Sequence, residues 1–306
     1  MYGKNDLRAS LASQPARAPT PASAVHTPFM PATYGRFYQE PPADADANGR
    51  SWYCRGQNMV VNFIQASNGG RFSRTGQLDE YALLIPDAGM SVVVAAGNEE
   101  QIVKGPAVVF IPPGDSSIQA KADGILLRLL TTRAADLVVK CPNSGEYSRP
   151  DPNVAPFEAW PVPVGGYRIR AYPGDVPGEK GRFGRLYRGS TIMVNFGDGR
   201  KGKRDPRDVS PHHHDDFEQY SIALAGEFVH HLRWPWTSDS TMWREDEHAQ
   251  CASPSVAVIP PPATHTSVGM TDGLNRLCDA FCPPRLDFSL REGWVLNAAD
   301  YPLPRV

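Results

Sequence analysis

The sequence has no long hydrophobic run and almost no excess of either charge. No stretch approaches the roughly 18 continuous apolar residues that a membrane-spanning helix needs. The 31 basic residues against 33 acidic ones leave a net charge of −2, whereas proteins that attract nucleic acids or anionic membranes carry a pronounced basic excess. No apolar run follows Lys4 and Arg8, so a secretory signal is not expected. The composition therefore predicts a protein that binds neither nucleic acid nor membrane.

Cysteine is also scarce. The chain has five cysteines, an odd number, and no two of them form a CxxC pair. This pattern predicts reduced thiols in a cytoplasmic protein rather than a disulfide framework. Cys278 and Cys282 are four residues apart, but a structural zinc site normally needs a second close pair of ligands.

Long runs of apolar residues at helical spacing are missing too, and turn residues are abundant. The chain of 306 residues contains 30 prolines and 27 glycines, and short apolar runs bounded by such residues predict strands. Residues 1–44 differ, because they are rich in Ala, Pro, Ser and Thr and are predicted to be an extended or flexible arm. The arm is either a plain leader or a segment that wraps a neighbouring subunit. The candidate anchors for such wrapping are Phe29, Tyr34, Phe37 and Tyr38.

The second half of the chain repeats the first. Three matches occur in the same order. They are Val61-Asn62-Phe63 with Val194-Asn195-Phe196, Asp79-Glu80-Tyr81 with Glu218-Gln219-Tyr220, and the run 106–113 with the run 254–261. Ordered internal matches of this kind indicate two copies of one domain. We predict an all-β protein with two tandem barrels at residues 45–145 and 165–306, joined by a proline-rich linker at 146–164.

The segment from Pro211 to Tyr220 holds three of the eight histidines. In an extended strand every second side chain points to the same face, so His212, His214 and Glu218 are predicted to converge. Imidazole and carboxylate groups on one face can bind a divalent transition metal. A solvated histidine-rich loop is the alternative, but the segment runs straight into an apolar strand-turn-strand pattern, which favours the metal site.

A fourth ligand can come from a later strand, which leaves through a proline turn and delivers His265. The pattern His212-x-His214-x-x-x-Glu218, followed by Gly226, resembles the first motif of the cupin superfamily, and Pro260-x-Pro262-x-x-His265 resembles its second motif. The chain departs from the family pattern by one extra residue before Gly226, by Pro262 in place of glycine and by Gly269 in place of asparagine.

With the repeat, the chain resembles a bicupin over roughly residues 50–290. The resemblance implies double-stranded β-helix (jelly-roll) barrels, and one divalent metal held by His212, His214, Glu218 and His265. Iron is the first expectation for the metal, with manganese, zinc and nickel as alternatives. The first copy lacks these ligands and is expected to be a degenerate barrel without metal. The residues expected to match the ligands there are Ser73, Thr75, Asp79 and Ser117.

Several neighbours of the predicted ligands have an assignable direction. Tyr220 shares the parity of the ligands, so it is expected to point inward, either as core or in contact with substrate. Gln219 and His213 are expected to point outward, the latter exposed or paired with a carboxylate. Asp216 can replace Glu218 as a ligand if the strand bulges.

The return strand 227–233 is predicted to place one of His230 and His231 inside the barrel. Such a histidine is either a satisfied core residue or a general acid or base. Arg233 is either a partner for a substrate carboxylate or a solvent-exposed ion-paired residue. The long loop that follows carries Trp234, Trp236 and Trp243, which can cap a pocket or pack between subunits. Tyr220, His230 and Arg233 are thus the candidate catalytic residues.

Three functions remain open at this stage. The first is an iron(II) dioxygenase acting on a small organic substrate, such as an aromatic, enediol or keto-acid compound. The second is a non-redox isomerase or decarboxylase that uses zinc, manganese or nickel. The third is a binding or structural bicupin without catalysis. By analogy with cupins, which frequently pair through sheet edges, a homodimer is expected.

Overall fold

The computed structural model of the protein describes residues 6–13 and 29–305, and strands dominate it. The first half contains β1 Thr33–Gly35, β2 Asp44–Asp46, β3 Gly49–Arg55, β4 Met59–Ala66, β5 Arg71–Gln77, β6 Tyr81–Ile85, β7 Ser91–Ala96, β8 Glu99–Lys104, β9 Ala107–Ile111, β10 Gly114–Ala120 and β11 Gly124–Thr131. The second half contains β12 Arg170–Pro173, β13 Leu186–Arg188, β14 Met193–Asn195, β15 Arg200–Lys201, β16 Gln219–Ala225, β17 Glu227–Arg233, β18 Glu247–Ala252, β19 Ser255–Ile259, β20 Thr264–Gly269 and β21 Leu274–Phe281. The helices are short: α1 Ala135–Val138, α2 Leu286–Ser289, and 3-10 turns at Leu7–Ser13, Ser144–Tyr147, Ser240–Met242 and Ala298–Asp300. No helix within these two ranges has the length and hydrophobicity that crossing a membrane requires.

The strands form two antiparallel double-sheet barrels, which confirms the predicted all-β fold with two tandem barrels. In the N-terminal barrel, a large sheet ordered β12-β9-β6-β11-β4-β3-β2 packs on a small sheet ordered β5-β10-β7-β8. In the C-terminal barrel, a large sheet ordered β1-β19-β16-β21-β14-β13, with β15 on β21, packs on a small sheet ordered β18-β17-β20. The central order β9-β6-β11-β4 corresponds to β19-β16-β21-β14. The repeat in the sequence is therefore a repeat of topology.

The two largest hydrophobic cores of the described residues explain the short apolar runs of the strands. One fills the N-terminal barrel and includes Tyr81 and Leu83 of the large sheet with Val94 of the small one. The other lies between the two large sheets and joins residues such as Val61 and Ile222 from different barrels. Because the large sheets are covered on both faces, every residue of β6, β9 and β19 is buried or nearly so. Strands buried on both faces read as continuous apolar runs rather than as alternating ones.

Each barrel takes one edge strand from the other half of the chain. Strand β1 of the N-terminal arm pairs with β19 in the C-terminal barrel, and β12 pairs with β9 in the N-terminal barrel. The predicted boundaries at residues 44 and 165 assign both strands elsewhere, because pairing over such distances leaves no local signal. Phe29 packs in the C-terminal barrel and Phe37 between the barrels. The described part of the arm therefore wraps its own chain.

Candidate metal centre

Three histidines of the C-terminal barrel come together where the segment before β16 pairs with the start of β20. His212 and His265 form an isolated antiparallel bridge, with backbone N–H to O distances of 3.0 and 2.7 Å. His214 lies two residues further along, and its ring centroid is 5.0 Å from that of His212 and 5.2 Å from that of His265. All three side chains are buried, and each offers a ring nitrogen within 4.8 Å of those of the other two. The structure thus brings together three of the four predicted ligands.

Hydrogen bonds determine which nitrogen of each ring carries the lone pair. His212 Nδ1 lies 2.9 Å from the Ser210 carbonyl, and His265 Nδ1 lies 2.9 Å from the Ala263 carbonyl. A carbonyl oxygen can only accept, so both Nδ1 atoms donate and both Nε2 atoms carry the lone pair. His265 Nε2 is buried and has no hydrogen-bond partner in the described part of the chain. An orphaned buried nitrogen of this kind fits a metal ligand better than a packed core histidine.

In the ring of His214 the other nitrogen, Nε2, makes the hydrogen bond. Its Nε2 lies 2.9 Å from Gln219 Oε1, and the Gln219 amide nitrogen donates to Ser221 Oγ at 2.9 Å and to Asp279 Oδ1 at 3.2 Å. Because the amide nitrogen is committed to these acceptors, Oε1 faces the ring and His214 Nε2 donates to it. The lone pair of His214 is then on Nδ1. Metal-binding histidines usually donate their second ring nitrogen in this way.

Burial keeps the three imidazoles neutral. It lowers the pKa of His212 and of His214 well below the ordinary value and the pKa of His265 to about 4. The positive charge of Arg285 acts in the same direction on all three rings, with a smaller effect than burial. Neutral imidazole is the form that binds a metal. The donor set suits iron, zinc, nickel or copper, whereas manganese prefers carboxylate and other oxygen ligands.

Glu218, the fourth predicted ligand, is not part of this group. Its Oε2 accepts hydrogen bonds from the backbone N–H of Gln57 at 2.7 Å and from the Tyr220 hydroxyl at 2.8 Å. Burial raises the pKa of its carboxyl group. Glu80 makes the equivalent contact in the opposite direction, because its Oε2 accepts from the backbone N–H of Ser190 at 2.7 Å. Both glutamates therefore connect the two barrels, and the position of Glu218 is explained without a metal.

A bend explains why the predicted strand parity fails. The prediction extends one alternation from His212 to Tyr220, but the chain bends at residues 215–216. Beyond the bend the alternation is shifted by one residue. Gln219, expected outside, is buried beside His214, and that expectation is wrong. Tyr220, expected inside the barrel, lies in the core between the barrels and accepts a hydrogen bond from the Met59 N–H at 3.2 Å. Tyr220 therefore packs as core and does not face the histidines.

Two further residues of the segment lie outside the group. Asp216 is half-buried, its backbone oxygen accepts from the Ala155 N–H at 2.8 Å, and its carboxylate is not among the grouped ligands. The structure does not group Asp216 with the histidines in place of Glu218. His213 is exposed and lies 3.5 Å from Asp215, which confirms the prediction for that residue.

His230 points into the C-terminal barrel and His231 points out, as the return strand predicts for one of the two. His230 is fully buried, and its Nδ1 lies 2.8 Å from Ser267 Oγ. Its Nε2 is buried without a hydrogen-bond partner among the described residues, and burial lowers its pKa to about 4. His231 contacts His248 on the surface. His230 is thus an inward-facing polar group whose second nitrogen is available to a ligand.

Arg233 and the tryptophan loop lie on the outside of the barrel. The Arg233 guanidinium is largely exposed and paired with Asp246, which matches the ion-paired alternative and not a substrate contact. Trp236 and Trp243 stack with their ring centroids 4.6 Å apart, and both are exposed. Trp234 is buried against Phe29 of the arm. The loop therefore covers the arm rather than the histidines.

The pairing of the strands shows which residues of the two barrels correspond to each other. Tyr81 is paired with Ile111 and Gln219 with Ile259, and the two isoleucines end the matching strands β9 and β19. Tyr81 is therefore the structural counterpart of Gln219. The repeat in the sequence had matched it with the next residue, so the predicted counterparts are displaced by one.

The corrected register preserves the conclusion that the first copy has lost the histidines. The bridge between His212 and His265 corresponds to the pair Arg74 and Ser116. The predicted counterparts were Ser73, Thr75, Asp79 and Ser117. Arg74 forms an ion pair with Asp136, and Ser116 Oγ lies 3.0 Å from the Tyr81 hydroxyl. The described part of the first half offers no imidazole, and its single histidine, His26, lies outside the described residues.

Sequence reasoning missed two sets of residues at the site. Gln219, Ser221 and Asp279 form the network behind His214, and a bend recognised at the Asp215-Asp216 pair would have pointed to them. Arg8 is the second omission: its Nη1 lies 3.1 Å from His212 Nε2 across 204 residues of sequence. No local pattern predicts that contact.

Comparisons with known proteins add the following. No protein-family model matches the chain, and no curated protein sequence matches it. Among solved structures, it is similar to the Lactobacillus farciminis oxalate decarboxylase formate complex, with 14% identity, TM-score 0.47 and coverage of 82% of this chain and 86% of that chain. It is also similar to AerE from Microcystis aeruginosa, with 8% identity, TM-score 0.49 and coverage of 84% of this chain and 99% of that chain. A third similar structure is vicilin from Capsicum annuum, with 10% identity, TM-score 0.49 and coverage of 75% of this chain and 77% of that chain. Likenesses this distant carry no information about the metal or substrate of this chain.

Proposed function

We propose that the C-terminal barrel is a metal-dependent enzyme site for a small organic substrate and that the N-terminal barrel supports it structurally. The observation that carries the proposal is the convergence of three buried, neutral imidazoles whose second nitrogens are all committed to carbonyl oxygens. A histidine cluster without a ligand role has no need for three lone pairs directed into one space.

The reaction proposed first is that of an iron(II) dioxygenase. A divalent iron held by three neutral ligands supplies Lewis acidity and one-electron chemistry with dioxygen, and an octahedral ion leaves positions for a chelating substrate. His212, His214 and His265 hold the ion in this scheme. Burial of their rings excludes water and keeps them unprotonated across the physiological pH range.

His230 is proposed to act on the substrate from the same inner face. It lies opposite Ser267, and its neighbour Leu232 lies opposite His265, so His230 and His265 are diagonal neighbours on paired strands. Diagonal neighbours of this kind are about 7 to 8 Å apart and within reach of one small molecule. Ser267 fixes the ring through Nδ1, which leaves Nε2 to bind the substrate or to move a proton.

His230 also favours a second candidate function. A barrel that holds a Lewis-acid metal next to a buried proton-transfer group can isomerise or decarboxylate a keto acid without redox chemistry. Zinc or nickel suits the three imidazoles in that role. A binding protein in which the metal is purely structural is the remaining outcome of the experiment below.

The test starts from protein purified anaerobically without chelators. Its metal content is measured, followed by oxygen uptake with catechol-like, diketone and keto-acid substrates. We expect one iron per chain and substrate-dependent oxygen uptake. Bound zinc or nickel with substrate turnover but no oxygen uptake would establish the non-redox reaction instead, and stoichiometric metal with neither activity would leave a binding protein.

Histidine variants identify the ligands in the same assay. His212→Ala and His265→Ala are expected to lose metal binding, because each removes one of three ligands, while circular dichroism shows both barrels folded. His231→Ala is the control, since it removes a histidine of the same barrel that contacts His248 on the surface and lies outside the group of three. Full metal content in both ligand variants would exclude the assignment.

A further inference from the structure

The 3-10 turn Leu7–Ser13 places the positively charged side chain of Arg8 next to His212 of the candidate metal centre. Arg8 Nη1 lies 3.1 Å from His212 Nε2, and the Arg8 side chain is only 13% exposed. A guanidinium has donors and no acceptor, so it donates to the lone pair that His212 would offer to a metal. One lone pair cannot serve a guanidinium and a metal ion at the same time.

The turn is docked by several independent contacts. Asp6 accepts from Arg8 Nε at 3.0 Å and from Nη2 at 2.7 Å, so the guanidinium is held as a rigid fork. The Arg8 guanidinium also lies 4.9 Å from the ring centroid of Phe183. Leu11 packs against the apolar cluster that contains Phe288 and Trp294. Arg8 therefore reaches His212 from an anchored segment and not as a loose surface side chain.

From these contacts we propose that Arg8 is a built-in competitor of the metal, and that metal loading requires the Leu7–Ser13 turn to move off His212. The proposal rests on the metal site of the proposed function. It adds that the N-terminal turn controls how tightly and how fast the ion is taken up. Repulsion between the guanidinium and a divalent cation bound at the same imidazole would add to the direct competition for the lone pair.

The first test measures metal affinity with and without the guanidinium. Cobalt(II) or zinc is titrated into metal-stripped full-length protein and into Arg8→Ala. Because a hydrogen bond to a charged group contributes roughly 1.5 to 3 kcal/mol, the variant is expected to bind the ion about 10-fold to 100-fold more tightly. Equal or weaker binding by folded Arg8→Ala would overturn the proposal.

The chain offers a matched control for this variant. Arg207 pairs with Asp205 in the same i, i+2 arrangement as Arg8 with Asp6, with Nε and Nη2 at 3.0 and 2.9 Å from the carboxylate. It is 88% exposed. Arg207→Ala is expected to bind the metal like the unaltered protein. A similar gain in affinity from both variants would reduce the effect to net charge and contradict a specific role for Arg8.

The second test needs no substitution. Trypsin cleaves after Arg8 only when the turn leaves its docking place, so saturating zinc is expected to accelerate this cleavage several-fold by mass spectrometry. Cleavage after the exposed Lys121 of the N-terminal barrel is the internal reference and is expected to stay constant. A cleavage rate at Arg8 that does not respond to zinc would contradict the displacement.

The two proposals fail in different ways. If neither the unaltered protein nor Arg8→Ala binds cobalt(II) or zinc, the metal site itself is wrong and both proposals fall. If His265→Ala abolishes binding while Arg8→Ala binds like the unaltered protein, the metal site stands and the competition by Arg8 is excluded.

Discussion

Tyr81 and Gln219 hold the same register position in the two barrels, and so do Leu83 and Ser221. In the N-terminal barrel these positions belong to a core of apolar side chains. In the C-terminal barrel they form a hydrogen-bonded chain that runs through Asp279 to the back of His214. The same strands in the same order therefore enclose mainly apolar side chains around the buried Arg128 in one copy and a connected polar network in the other.

This difference shows how a repeated fold divides its tasks. Buried polar groups reduce stability unless every one of them finds a partner. Two inward-facing histidines of the C-terminal barrel, His230 and His265, are among the residues that keep a buried nitrogen without a partner in the described part of the chain. Burial of apolar side chains in the N-terminal core and in the core between the barrels offsets this loss of stability. The inward-facing side chains at these positions differ while the strand order is the same, so the two interiors differ without a change of topology.

The largest effect is expected from opening the packed interior. Leu83→Ala removes a fully buried side chain and should lower the free energy of unfolding by about 2 to 5 kcal/mol, measured by urea denaturation. Metal affinity should be unaffected, because the substitution lies in the other barrel. Ser221→Ala at the matching position is the control and should cost only about 1 kcal/mol. Equal losses in the two variants would show that the interiors do not differ in packing.

A smaller effect is expected from the polar network. Gln219→Leu removes the acceptor for His214 Nε2, so the ring is no longer held with Nδ1 towards the other two imidazoles. Metal affinity should fall roughly 10-fold to 100-fold, as is usual for partners that orient a metal-binding histidine. Asn or Glu at this position can accept from the ring and should restore part of the affinity. Unchanged affinity in folded Gln219→Leu would mean that the network does not orient His214.

The smallest effect is expected from Glu218→Gln, because glutamine can still accept from Gln57 and Tyr220. Burial raises the pKa of Glu218 above its ordinary value of 4.5, so the folded state holds this proton more tightly than the unfolded state. The resulting stability is present below the ordinary pKa and is lost as the pH rises through the raised one. The variant should therefore lose stability less steeply than the unaltered protein above about pH 4.5.

Metal titration of the same variant distinguishes the two assignments of Glu218. An inter-barrel contact predicts an affinity within about twofold of the unaltered protein, because the change lies outside the histidine group. A fall of tenfold or more would instead restore Glu218 to the ligand set that its motif predicts.

The sequence predicted the all-β fold, the repeat and the three histidines, because these depend on short-range alternation and on ordered matches along the chain. It placed Gln219 and Tyr220 on the wrong faces, and it predicted Glu218 in a group where the structure places only the three histidines. The reason is physical. Alternation of side chains is reliable only within an unbroken strand, and the chain bends at residues 215–216. One displaced residue then reversed the direction of every side chain beyond the bend.

The contacts that no pattern could predict are those between distant segments. Arg8 meets His212, and Glu80 meets Ser190, through packing of parts that are far apart in sequence. Edge strands β1 and β12 are equally remote from their partners. Three-residue and four-residue strands carry too little periodicity to be recognised locally.

The reciprocal exchange of edge strands also governs the order in which a nascent chain can complete its barrels. The N-terminal barrel obtains its last strand from residues 170–173, so its sheet keeps an unpaired edge until synthesis has passed the linker. Strand β1, in contrast, is made first and cannot pair until β19 has been synthesised as far as Val258, the partner of Thr33. Neither half can be released from the ribosome as a finished unit. A truncated product would expose a bare sheet edge that invites aggregation.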